Sequence, residues 1–173
     1  MKKEIAILLP YKEIYNKEYS GAASIWVKDY LSLSKLKERT VVYGSLEKKL
    51  KPLTNNFINI PVEKTIFSKT KKYIRSFYNE YMKKKYSLIE IHNRPEYLNF
   101  LIKKKIESKL IFIFHNNPLT MRGSRSVKER LNILENTNKI IFISKWIKKK
   151  FFEDLSIKDS SNCEILYHGI KKP

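Results

Sequence analysis

The 173-residue sequence holds one cysteine, four glycines and six arginines, and each scarcity argues against a class of protein. With Cys163 alone, no disulfide can close within the chain, so a disulfide-framed secreted scaffold is excluded and a reducing compartment is expected. The glycines, at 21, 44, 123 and 169, are too far apart for G-x-G-x-x-G or a P-loop, which argues against the usual Rossmann dinucleotide fingerprint and P-loop phosphoryl transfer. No G-x-S-x-G elbow, H-E-x-x-H or C-x-x-C occurs. No apolar run approaches the roughly 18 residues of a membrane-spanning helix. Acidic residues are also few: 17 against 36 Lys and Arg, for a formal charge of +19.

Hydrophobic residues make up 42% of the chain, enough for a core, and a single domain of this length buries roughly 70% of its unfolded surface. Thirty lysines accompany 22 isoleucines and 13 asparagines, residues with A/T-rich codons, so part of the basicity is compositional. The rest favours anionic partners: nucleic acid, anionic lipid or phosphorylated sugars. Base-reading proteins rely on arginine, which is scarce here.

Strand-like and helix-like runs alternate throughout. Residues 5–9 (Ile-Ala-Ile-Leu-Leu), 40–43, 57–60, 87–91, 110–114, 139–143 and 163–167 read as strands. Helical spacing covers 21–36, 68–85, 95–105, 124–136 and 145–154, with Pro95 suited to a first turn and Ser144 to an N-cap; 46–53 is ambiguous. Strands separated by helices predict βαβ units: one α/β, Rossmann-like, doubly wound, mainly parallel domain over 1–173. Cys163, inside a predicted strand, is expected to be an inert buried thiol.

Ligands of open α/β sheets bind beyond the carboxyl ends of the strands, and all three histidines fall there. His92, His115 and His168 each follow a strand and precede loop residues: Asn93-Arg94-Pro95, Asn116-Asn117-Pro118 and Gly169. Each could merely bond a neighbouring loop; together they mark a candidate site. A three-histidine zinc site has no local ligand spacing in its favour. Gly21-Ala22 opens a helix after a long loop, where small residues let an anion approach backbone N–H groups. Arg122, Arg125 and Arg130, half of the arginines, cluster after His115 as a second candidate, the alternative being a solvated helix start.

These motifs, in this order, resemble the N-terminal domain of the GT-B glycosyltransferases of family 4, retaining enzymes that build lipopolysaccharide, capsule and lipid-linked glycans. The resemblance rests on Ser20-Gly21-Ala22, Phe114-His115-Asn116-Asn117-Pro118, Met121-Arg122-Gly123, Phe142-Ile143-Ser144-Lys145-Trp146 and Tyr167-His168-Gly169-Ile170. It implies a donor-diphosphate loop at Gly21 and Ala22, and a catalytic role for His115 beside the reacting sugar. It also implies an acceptor cleft lined by His92, Asn93, Arg94, Asn116, Arg122, Arg125, Ser144 and His168. Two departures stand out: the family usually shows Gly-Gly where this chain has Gly21-Ala22, and Asn where it has His168. The resemblance further implies a nucleotide sugar as substrate, a glycan or lipid-linked acceptor, no metal or resident cofactor, and a cytoplasmic or membrane-peripheral location. The family's second domain, with its paired glutamates, has no counterpart in 1–173, so the chain is expected to be the acceptor-binding half and inactive alone.

The helix at 68–85 has two readings. Its aromatic face, flanked by Lys71, Lys72, Arg75, Lys83, Lys84 and Lys85, can lie in the headgroups of an anionic membrane, or it can pack on the sheet with a solvated basic edge. Two other functions compete with the enzyme: a basic nucleic-acid-binding module, for which no RNP, KH or helix-turn-helix pattern is present, and a stand-alone phosphosugar-binding domain.

Overall fold

In the computed structural model, which describes residues 4–47, 49–62 and 68–169, seven strands form one parallel sheet. In chain order they are β1 (Ile5–Leu8), β2 (Thr40–Gly44), β3 (Phe57–Asn59), β4 (Leu88–His92), β5 (Lys109–Phe114), β6 (Lys139–Phe142) and β7 (Cys163–Ile165). Their spatial order is β3-β2-β1-β4-β5-β6-β7, with every adjacent pair parallel. The helices are α1 (Ala22–Leu33), α2 (Lys69–Lys84), α3 (Pro95–Lys103), α4 (Val127–Asn136) and α5 (Lys145–Phe151). The doubly wound α/β expectation holds. Residues 1–3 and 170–173, which include Ile170 of the closing turn, lie outside the described residues.

Alternation along β1 divides the core. Ala6 and Leu8 join the cluster covered by α2 to α5, whereas Ile7 and Leu9 join the one under α1. The larger cluster is anchored by Phe114, which stacks on Phe142 at 5.6 Å and meets Phe151 at 5.4 Å. Burying each such ring contributes about 2–3 kcal/mol. Over the opposite face α1 is the sole helix among the described residues, and Ile111, Ile141 and Ile143 stay half-buried.

Several element ends differ from the sequence reading. The helix expected from 124 starts at Val127, because Ser126 and Glu129 form a reciprocal capping box. The helix expected to run to 36 stops at Leu33. The ambiguous 46–53 stretch forms no helix or strand in its described residues; Asn59 brackets Leu46, accepting from its N–H and donating to its carbonyl. On α2, Tyr73, Ile74, Phe77 and Tyr81 are buried against the sheet. That aromatic face is therefore occupied by core packing, which corrects the headgroup reading and leaves a basic edge. There Lys83 and Lys84 pair with Glu80, while Lys85 lies over the Tyr81 ring.

Candidate functional site

Because α1 leaves β1 toward one face and α3 leaves β4 toward the other, their carboxyl ends diverge into the crevice where doubly wound sheets take ligands. The strand period places Glu90 and His92 on the same side of β4, and the helix period places Trp26 and Tyr30 on the facing side of α1. His92 Nδ1 lies 2.9 Å from His115 Nε2, and His92 Nε2 lies 2.7 Å from Glu90 Oε1. Tyr30 donates its hydroxyl to the same Glu90 oxygen at 2.7 Å. Trp26 presents its ring edge-on to both imidazoles, at 5.4 and 5.8 Å.

Hydrogen-bond valence constrains the protons in this chain. Glu90 Oε1 receives two donors, so His92 Nε2 carries hydrogen; with His92 neutral, its Nδ1 accepts and His115 Nε2 donates. His115 Nδ1 is then left with a lone pair and no partner among the described residues. Burial lowers the His115 pKa to about 3, with His92 and His168 adding to the effect, so its ring is neutral near pH 7. Such a pair can accept a proton at His115 Nδ1, pass the Nε2 proton to His92 Nδ1, and hold the positive charge beside the Glu90 carboxylate. It can equally offer a neutral acceptor to a hydroxyl.

The loop after β4 is tightly held. Asn93 adopts φ of +53°, a region asparagine tolerates better than most residues, and its side chain accepts the His115 backbone N–H at 3.3 Å. Arg94 and Arg122 line a recess of about 230 Å³ together with Lys12 and Thr70. Asn116 is exposed on the rim, and Arg125 donates to the Thr120 carbonyl. Ser144 serves as the N-cap of α5, accepting from Ile147 N–H at 3.2 Å. His168 lies 3.7 Å from Asp29 across a cleft of about 420 Å³ lined also by Trp26, Tyr30, Leu33 and Tyr167.

At the start of α1 the geometry adds something the sequence reading missed. The Glu13 carboxylate accepts from Ser24 N–H at 2.9 Å and fills the space a side chain at Gly21 would need. The anion-favouring helix end at Gly21 and Ala22 is thus occupied by the chain's own carboxylate. Arg130 also proves different from Arg122 and Arg125: it is 1% exposed and donates to the carbonyls of Ser124, Arg125 and Glu153. Cys163 is buried, and burial pushes its thiol up to about 12, as expected of an inert thiol. No cluster of three or more His, Cys, Asp or Glu that could hold a metal is present among the described residues. No helix among them is long and apolar enough to cross a membrane.

The sequence reading missed Glu90, Tyr30, Trp26, Glu13, Lys12 and Thr70. For Glu90 the signal was available: an acid inside a buried strand, two residues before His92.

No family model matches the chain, and no curated protein matches it in sequence. Its fold is similar to that of Anabaena HepE in complex with UDP and glucose, with a TM-score of 0.64 at 12% identity over 97% of this chain and 45% of that one. It is also similar to sucrose-phosphate synthase from Thermosynechococcus elongatus, at 0.62 and 10% identity over 95% and 48%. UDP-N-acetylglucosamine 2-epimerase from Rickettsia bellii matches at 0.54 and 9% identity over 94% and 44%. The chain therefore spans less than half the length of these proteins. These likenesses establish the architecture: an α/β, Rossmann-like fold matching one domain of the GT-B fold.

Proposed function

We propose that residues 1–173 form the acceptor-binding half of a retaining, family 4-like glycosyltransferase that moves a sugar from a nucleotide-sugar donor to a glycan or glycolipid in cell-surface polysaccharide assembly. The observation that carries this reading is the Glu90–His92–His115 chain at the crevice between β1 and β4, which ends in an unpartnered imidazole nitrogen suited to a substrate hydroxyl. Support comes from structural neighbours captured with UDP and UDP-glucose. His115 is the candidate catalytic group, with His92 and Glu90 positioning it. Gly21 and Ala22 would meet the donor diphosphate once Glu13 moves aside. His92, Asn93, Arg94, Asn116, Arg122, Arg125, Ser144 and His168 remain the proposed acceptor side. No metal or resident cofactor enters the proposal. The reaction belongs in the cytoplasm, at the inner face of the membrane when the acceptor is a lipid.

The test is to read the gene past the codon for Pro173 and assay its whole product with UDP-glucose and other nucleotide sugars on a membrane acceptor fraction. Transfer that is lost in His115→Ala supports the reading, and transfer by purified 1–173 alone would sink the half-enzyme assignment. An intact product that transfers nothing from any donor would remove the enzyme altogether. The second reading, a stand-alone phosphosugar-binding domain, draws support from the cationic recess and would then take over.

A further inference from the structure

The recess beside Arg94 is built from the loops after three neighbouring strands. Lys12 follows β1, Arg94 follows β4, Thr120 and Arg122 follow β5, and Thr70 comes from the first turn of α2. It lies on the α2–α3 side of the rim, across Asn93 from the histidine pair and on the opposite face from α1 and Gly21. It is therefore separate from the helix end where the donor diphosphate is proposed.

Three cations, Lys12, Arg94 and Arg122, line this recess with one carboxylate, Glu96. Arg122 Nε lies 3.3 Å from Glu96, and Arg94 uses only Nη1, at 3.3 Å to the Asn93 carbonyl. The remaining guanidinium donors of Arg94 make no bond to the described residues, and Lys12 Nζ makes none either. Like charges brought together repel unless a counter-charge sits among them. The chain has only six arginines, and two of them line this recess, where a planar fork suits phosphoryl oxygens better than a lysine does. The surplus of two positive charges matches a phosphate monoester, which carries about −1.5 to −2 at neutral pH.

Backbone packing fixes one wall of the recess. Gly123 has φ of +93°, and a Cβ there would sit 3.0 Å from Glu96 N and 3.1 Å from the Pro95 carbonyl carbon. That close approach holds Arg122 against the start of α3. A volume of about 230 Å³ accommodates a phosphoryl group and part of the molecule bearing it.

We infer that Lys12, Arg94 and Arg122, with the Thr70 hydroxyl, form a subsite for a phosphoryl group on the acceptor, so that the acceptor is a phosphorylated sugar or a phospholipid-linked one. Only the word acceptor rests on the glycosyltransferase reading; the anion subsite stands on the recess itself.

The experiment is a backbone-amide NMR titration of the chain with inorganic phosphate. Saturable shifts are expected at Lys12, Thr70, Arg94 and Arg122. Removing one charge-assisted hydrogen bond should weaken binding about tenfold, so Arg94→Gln with Arg122→Gln should raise Kd roughly 100-fold. Arg122 is 73% exposed, and the same spectra report whether the variant is folded. The control pair Lys145→Gln and Lys149→Gln, on a separate basic cleft, should change Kd less than about twofold. Shifts spread over the surface lysines, unchanged in the arginine variant, would overturn the subsite, as would a response that never saturates. Glucose 6-phosphate and dihexanoyl phosphatidic acid are then used as competitors. Displacement by one alone names the source of the phosphoryl group, and displacement by neither overturns the acceptor role. UDP is titrated separately: UDP bound without phosphate removes only the subsite, and phosphate bound without UDP leaves the subsite standing, the nucleotide-sugar reading being decided by the transfer assay on the whole gene product.

Discussion

His92 and His115 share one hydrogen bond, 2.9 Å from Nδ1 to Nε2, and Glu90 behind His92 decides which way its proton points. A carboxylate can only accept, so the direction of the whole chain is set at its buried end. Ring-nitrogen NMR at neutral pH should find hydrogen on Nε2 of both histidines and on neither Nδ1. In Glu90→Gln, an amide that can donate or accept, both rings should become mixtures of tautomers, with a stability cost of about 1–2 kcal/mol. Hydrogen on His92 Nδ1 in the unaltered protein at neutral pH would refute the relay.

His115 should also shape the acid limb of stability. Folded, its pKa is about 3; unfolded, it returns to 6.5. Between these values the unfolded chain binds more protons, so stability rises with pH, is fully present above 6.5 and is lost as pH falls toward 3. The slope from this group is at most about 1.4 kcal/mol per pH unit. Urea midpoints from pH 4 to 8 should show this limb, and His115→Gln should flatten it; an identical limb in that variant would assign the effect to the carboxylates instead.

Glu13 caps α1 through Ser24 N–H while occupying the approach to Gly21. Glu13→Ala should therefore cost about 1 kcal/mol, the usual worth of a cap, and lower Tm by about 2–4 °C. The same variant should bind UDP more tightly if the carboxylate and a phosphate compete for that helix end. Calorimetric titration of both proteins checks it, and weaker UDP binding in Glu13→Ala would show that the carboxylate helps rather than blocks.

Arg130 is a buried cation whose hydrogen bonds go to carbonyl oxygens, with Asp154, Glu153 and Glu129 near enough to favour its charge. Arg130→Ala removes the tie between the loop entering α4 and the end of α5, and should cost about 3 kcal/mol, a Tm loss of about 6–12 °C. Arg125→Ala, at an exposed side chain bonded to one carbonyl, should change Tm by less than about 2 °C. Thermal melts of the two variants settle whether the arginine cluster divides in this way.

The fold was legible because its signals are local: seven apolar runs ended by loop residues, with helical spacing between them. The histidines were legible for the same reason, each marking a strand end. What escaped was set by pairing across elements. Glu90 could be noticed two residues before His92, but its partner Tyr30 is known only once the β4 face is seen to meet α1, and Lys12 gains a role only when the β1 loop is seen beside Arg94 and Arg122. The basic helix at 68–85 was ambiguous because an aromatic stripe looks alike whether a sheet or a lipid covers it; burial of Phe77 and Tyr81 resolved it. The late start of α4 was written in Ser126 and Glu129, a capping box that outranks the earlier Ser124.

The central position of β1 has a consequence for synthesis. Ile5–Leu8 is made well before one of its two partners, β4, which begins only at Leu88. Until that segment is made, the nascent chain carries an apolar strand with one open edge, the kind of segment that pairs with other chains. The lysines of α2, which lie between the two strands in sequence, give the waiting intermediate a strong like charge on the ribosome. Basicity carried by α2 can thus act before the sheet is finished, keeping incomplete copies apart until β4 closes over β1.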